Sequence, residues 1–140
     1  YGLPFRSEWI VECDCRQRQA AEAAEQLLRH YPNITAIVCH KASVALGAYF
    51  GLARSGRSIG SDGVDAYYGR QVALIGFGDV PEAELTEPPL TFVSSSAREV
   101  GRSAAARLLQ RIGDAELPAQ NVVLPSPAAV PPPPPGGSSR

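Results

Sequence analysis

Short apolar, β-branched runs alternating with stretches of helical periodicity constrain this chain more than any other feature. The runs are residues 10–15 ("IVECDC"), 35–39 ("TAIVC"), 71–76 ("QVALIG") and 90–94 ("LTFVS"), with 121–124 as a last short candidate. Between the first two lies "QRQAAEAAEQLLRHY". There Ala20, Ala24, Leu27, Leu28 and Tyr31 recur at helical spacing, opposite Arg18, Glu22, Glu25 and Arg29, and Pro32 stops the helix. "SVALGAYFGLARSG" predicts a second helix, closed by Gly56. Ser96-Ala97-Arg98-Glu99 has the pattern of a capping box, opening a third helix with Val100, Ala104, Leu108 and Ile112 on one face. The run 35–39 is short and largely apolar, which predicts a strand buried on both faces. Strands that alternate with helices are joined by crossovers. The expected fold is therefore α/β, a mostly parallel sheet with helices on both faces.

At 140 residues the chain is long enough for one core. Its net charge of −1 argues against a nucleic-acid clamp in this piece, because such surfaces carry a basic excess. No apolar run approaches the roughly 20 residues that cross a bilayer. Three cysteines argue against a disulfide scaffold and for a reducing compartment. The opening on Tyr1 reads as a start inside a longer protein. Residues 57–70 lengthen a helix-to-strand connection beyond the usual ~2–6 residues and read as an insertion. The proline-rich tail from Ser126 is expected to be extended and then disordered, so the domain is set at residues 1–125 and the tail at 126–140.

In a parallel sheet, ligands sit beyond the carboxyl ends of the strands. Cys15, Lys41, Gly78 and Asp79 all fall there. Two readings of Asp79 stand together: Asp79-Val80-Pro81-Glu82 fits a helix cap with proline in the first turn, and the same carboxylate is placed to touch a ligand. Gly76 and Gly78 match two positions of the dinucleotide fingerprint, but Pro81 holds the third, which argues against nucleotide binding. No nucleophile triad or carboxylate pair assembles, so neither catalysis nor a cofactor is expected. His30 fits a helix C-terminus, where a partly charged imidazole is favourable. Cys13, Cys15, Cys39 and His40 are acceptable zinc ligands. Cys39 and His40 are adjacent, however, and buried cysteine is a common small hydrophobe, so no metal is assigned. The helix over residues 44–53 is apolar nearly all round, which fits either a subunit contact or enclosure in the core.

The order of these features resembles the C-terminal half of the LacI/GalR transcriptional repressors. "ITAIVCHKASVALGAYFGLARSG", "VALIGFGDVPEAELTEPPLTFV" and "AREVGRSAAARLLQRI" carry the likeness, which runs from about Gly2 to Leu124. The resemblance implies a periplasmic-binding-protein-like effector domain reduced to its C-terminal subdomain, in a cytoplasmic homodimer. Operator DNA would be read by an N-terminal helix-turn-helix that this chain lacks. It also implies a small effector, a sugar or a sugar phosphate, and a dimer contact through Leu46, Tyr49 and Phe50. At the implied effector site the family often has an aromatic residue where Cys15 stands and Asn where Lys41 stands. The first acid of its "GFDD" run is replaced here by Gly78, leaving Asp79, and Ser95 lies where a polar contact is frequent. Lys41 favours an anionic effector if its ammonium faces the cleft; the alternative places it in solvent.

Overall fold

The computed structural model describes residue 2, residues 5–60, residue 68, residues 71–79 and residues 85–129. The elements are a 3₁₀ turn at Ser7–Trp9, α1 (Gln17–His30), β1 (Ala36–Val38), α2 (Ala42–Arg54), β2 (Ser58–Ile59), β3 (Gln71–Phe77), β4 (Thr91–Val93), α3 (Ala97–Gly113) and β5 (Ala128–Ala129). β3 is central. β1, β2 and β4 all pair with it in parallel, and β5 adds to β4 antiparallel. The expected α/β fold with a mostly parallel sheet is what forms.

The burial of β3 alternates, with Val72, Leu74 and Gly76 buried and Ala73 and Ile75 half-buried. The buried side meets α2, whose Ala45 and Leu52 have no exposed surface, and Phe92 of β4 joins the same core. α1 lies against the other flank of α2. Small residues make this approach possible: a Cβ added at Gly47 would lie 2.4 Å from the Gln17 carbonyl oxygen, and one at Gly51 would lie 2.5 Å from that of Ala21. Arg54 and Glu25 tie the two helices at 2.7 Å.

Several expectations are corrected. Residues 10–15 form no strand. Ile10 and Arg16 have extended backbone, but among the described residues the segment finds no ladder partner, and Ile10 and Val11 remain exposed. β1 is not buried on both faces: Ile37 packs against the core, while Ala36 and Val38 on the opposite face are exposed, Val38 at 70%. The second buried flank of α2 is filled by α1, so the apolarity of this helix does not by itself require a partner subunit. The capping box at Ser96 does not form. Ser96 has a left-handed φ of 50°, its hydroxyl donates to the Pro125 carbonyl at 2.7 Å, and Glu99 takes Arg102 instead. α3 carries no buried residue, and Val100, Leu108 and Ile112 are exposed. Residues 121–124 are irregular. The last strand is β5, in the first part of the tail, which was expected to be extended; there Ser94 N–H also donates to the Pro127 carbonyl at 2.9 Å. Of the 57–70 insertion, residues 58–59 are β2, and most of the remainder lies outside the described residues, as do Val80, Pro81 and Glu82 of the expected cap.

Candidate functional site at the carboxyl edge of the sheet

Because β1, β3 and β4 run parallel, their carboxyl ends share one edge. The register pairs Val38 with Ile75 and Phe77 with Val93. Beyond these ends come Cys39-His40-Lys41, Gly78-Asp79 and Ser94-Ser95. Gly78 turns the chain off β3 with φ +113°, a conformation that side-chain-bearing residues rarely adopt. Its N–H still donates to the Val93 carbonyl at 2.9 Å, so the ladder holds up to the residue before Asp79. The Ser95 hydroxyl donates to Asp79 Oδ2 at 3.3 Å. Both side chains are exposed. An ionised carboxylate has about four lone-pair sites, so Asp79 retains acceptor capacity after this bond.

Lys41 is the N-cap residue of α2 and is exposed, with no side-chain cap bond at this terminus. Cys15 reaches the same edge by contacts rather than as a strand end. Its carbonyl accepts from the Ser43 hydroxyl at 3.2 Å, and its sulfur lies 3.7 Å from His40 Nε2. The residues expected at the site thus fall into two groups, Asp79 with Ser95 on the turn formed by Gly78, and Cys15 with His40 beside Lys41. In the sequence His40 is grouped with Cys15 only as a possible zinc ligand, whereas the structure makes it the direct neighbour of that thiol; Ser43 was not legible, since no local pattern joins residues 28 apart. His30 lies where expected, at the end of α1, its Nδ1–H donating to the Gln26 carbonyl at 2.8 Å.

The three thiols differ. Cys39 is buried at the end of β1, Cys13 is half-buried and Cys15 is exposed. Burial, with the neighbouring Cys13 adding to it, pushes the Cys39 thiol up from 9.0 to about 11. A folded state that holds this proton more tightly than the unfolded chain keeps its full stability below pH 9 and loses it as pH rises through about 11. Urea unfolding measured across that window should show a decline that Cys39→Ala reduces. Among the described residues no group of three or more His, Cys, Asp or Glu side chains could hold a metal ion. The four candidate zinc ligands therefore do not converge on one point.

On α2, Leu46 and Tyr49 are half-buried and pack on the core, while Phe50 is 48% exposed. The Tyr49 hydroxyl donates to the Glu87 carbonyl at 3.1 Å, and its ring meets that of Phe50 edge-on at 5.3 Å.

A family model described as the periplasmic binding proteins and sugar binding domain of the LacI family matches residues 1–128. The chain belongs to this family. It is 44% identical over 126 residues to the maltose regulon regulatory protein MalI of Escherichia coli K12, covering 90% of this chain and 37% of that protein. It is 34% identical over 111 residues to the repressor PurR of Actinobacillus pleuropneumoniae serotype 3, covering 79% of this chain and 30% of PurR. Among solved structures, the complex of the transcriptional regulator CelR with cellobiose is similar, with a TM-score of 0.76 and 26% identity over 92% of this chain and 37% of CelR. The chain spans about a third of the length of the curated relatives it matches. The LacI-family resemblance read from the sequence is borne out.

Proposed function

We propose that this chain is the C-terminal effector-binding and dimerisation part of a LacI-type transcriptional repressor of sugar metabolism, acting in the cytoplasm and without catalysis. Its effector is a small carbohydrate or sugar phosphate, and its second partner is operator DNA, read by an N-terminal region of the whole protein. The names of the relatives, a maltose regulon regulatory protein, a transcriptional repressor and a regulator in complex with cellobiose, support this reading over a transport-type binding protein of the same fold. The observation that carries it is the Asp79–Ser95 pair, set side by side at the strand ends with free acceptor capacity suited to sugar hydroxyls. No helix among the described residues is long and apolar enough to cross a membrane.

The mechanism is a shift between two states. An effector that binds one state more tightly moves the population toward it, with a coupling of ~1–3 kcal/mol in typical cases. Asp79 fixes the hydroxyl pattern, and Lys41 favours a phosphorylated sugar over a neutral one.

A thermal-shift screen of sugars and sugar phosphates on the whole protein tests this. Asp79→Ala should weaken the best hit by about tenfold or more, since hydrogen bonds to a charged group contribute ~1.5–3 kcal/mol. Lys41→Ala should weaken phosphorylated hits selectively. Affinities unchanged in both variants would remove the site. Dimerisation is tested separately: Leu46→Asp should convert the sedimenting species to monomer, and a wild type that sediments as monomer at high concentration would remove the α2 contact.

A further inference from the structure

Cys15 and His40 form a thiol–imidazole pair whose chemistry the binding of an effector does not call on. The sulfur and Nε2 stand 3.7 Å apart, although the residues are 25 positions apart in sequence. The backbone at Cys15 is pinned by the Ser43 hydroxyl, so the pair is held from the α2 side. Both side chains are exposed, and Lys41, also exposed, follows His40 directly. Cysteines react when they are accessible and lie beside a base or a cation, whereas buried ones are inert. The other two thiols provide the contrast. Cys39 is only 5% exposed and holds its proton up to about pH 11, and Cys13 is half-buried against the core.

We propose that Cys15 is a site of reversible S-thiolation by low-molecular-weight disulfides, with His40 as the base that activates it. The thiol loses its proton to His40 Nε2 as the sulfur attacks one sulfur of the reagent. The S–S bond of the reagent breaks, and its electron pair leaves on the departing sulfur. The imidazolium then returns the proton to that sulfur. One disulfide and one thiol become one mixed disulfide and one free thiol, and the reagent is the only oxidant required. The charge on Lys41 favours a reagent that carries carboxylates. The adduct would stand on the rim assigned to the effector and obstruct it. That consequence rests on the functional reading above, whereas the chemistry at Cys15 does not.

The experiment exposes the full chain to oxidised glutathione and follows mass and peptide maps over time. The first adduct should fall on Cys15, reverse with dithiothreitol, and be absent from Cys15→Ser over the same interval. His40→Ala should slow it by about a hundredfold, the lower end of what a positioned general base contributes, and free imidazole in the buffer should restore the rate. His40→Gln, which keeps the polar shape, should be as slow as His40→Ala. Labelling of Cys13 or Cys39 as fast as Cys15 overturns the proposal. So does a rate indifferent to His40, or a slowed rate that imidazole does not restore. An adduct that forms on Cys15 as described yet leaves effector affinity unchanged retains the modification site and removes only its link to the effector rim.

Discussion

Phe92→Ala lowers the unfolding free energy by about 3–5 kcal/mol, the range for truncating a buried aromatic ring, as read from urea midpoints at constant slope. Phe92 is 6% exposed and is the register partner of Gly76 across β3 and β4. Its ring lies over that glycine. A Cβ built at Gly76 would stand 2.5 Å from Phe92 Cε1 and 2.7 Å from the Ala45 Cβ on α2. Gly76 therefore leaves the space into which the ring packs between sheet and helix. Gly76→Ala alone should cost about 1–3 kcal/mol through overpacking, although alanine loses less backbone entropy than glycine on folding. In the Phe92→Ala background the added methyl enters vacated space, and its penalty should fall. The expected coupling is about 0.5–3 kcal/mol, the range for side chains in contact. Strict additivity would show that ring and glycine do not share this space. The pair also matters to the candidate site. The ladder that seats Phe92 against Gly76 continues to Phe77 and Val93, and so sets Asp79 beside Ser95.

The elements legible in the sequence are those whose signal is local. α1 and α2 announce themselves by apolar spacing, and β3 and β4 by β-branched runs that end in glycine or serine. Residues 10–15 carry the same kind of run and still form no strand, because a strand exists only with a partner along its edge, and that partner is not encoded locally. Periodicity likewise shows that α2 has more than one apolar flank but not what covers it; Ala20, Ala21 and Ala24 of α1 do so, leaving Phe50 outward. Ser96 satisfied the capping pattern, yet its hydroxyl is taken by Pro125, 29 residues on. At the candidate site, strand-end logic and family resemblance named Asp79, Ser95, Lys41 and Cys15. The contacts that organise them join residues 16, 25 and 28 apart, a distance over which no motif speaks.

Alanine at Gly47 and alanine at Gly101 should move stability in opposite directions, although both glycines are helical. In an exposed helix interior, glycine is about 1 kcal/mol less favourable than alanine. Gly101 of α3 meets that condition, since an added Cβ finds nothing within 4 Å. Gly101→Ala should therefore stabilise by up to about 1 kcal/mol. At Gly47 the same propensity gain is opposed by contact. The new Cβ would lie 2.4 Å from the Gln17 carbonyl oxygen and 2.7 Å from the Ala20 Cβ. The first of these is backbone in the opening turn of α1, so a rotamer change cannot relieve it. α1 must shift off α2, which strains the Arg54–Glu25 pair and uncovers Ala24 and Leu28. Overpacking of this kind costs about 1–3 kcal/mol, occasionally more, and with a carbonyl as the obstacle the upper part of that range applies. The net effect is a loss of about 2 kcal/mol after the propensity gain is subtracted. Gly51→Ala should behave alike, its Cβ being 2.5 Å from the Ala21 carbonyl oxygen. The Gly47→Ala and Gly101→Ala effects should add, because the two sites share no partner. If Gly47→Ala raised the urea midpoint as Gly101→Ala does, α1 and α2 would have to lie farther apart than their small residues allow, and the helix pair that positions Ser43 and Lys41 at the candidate site would need to be redrawn.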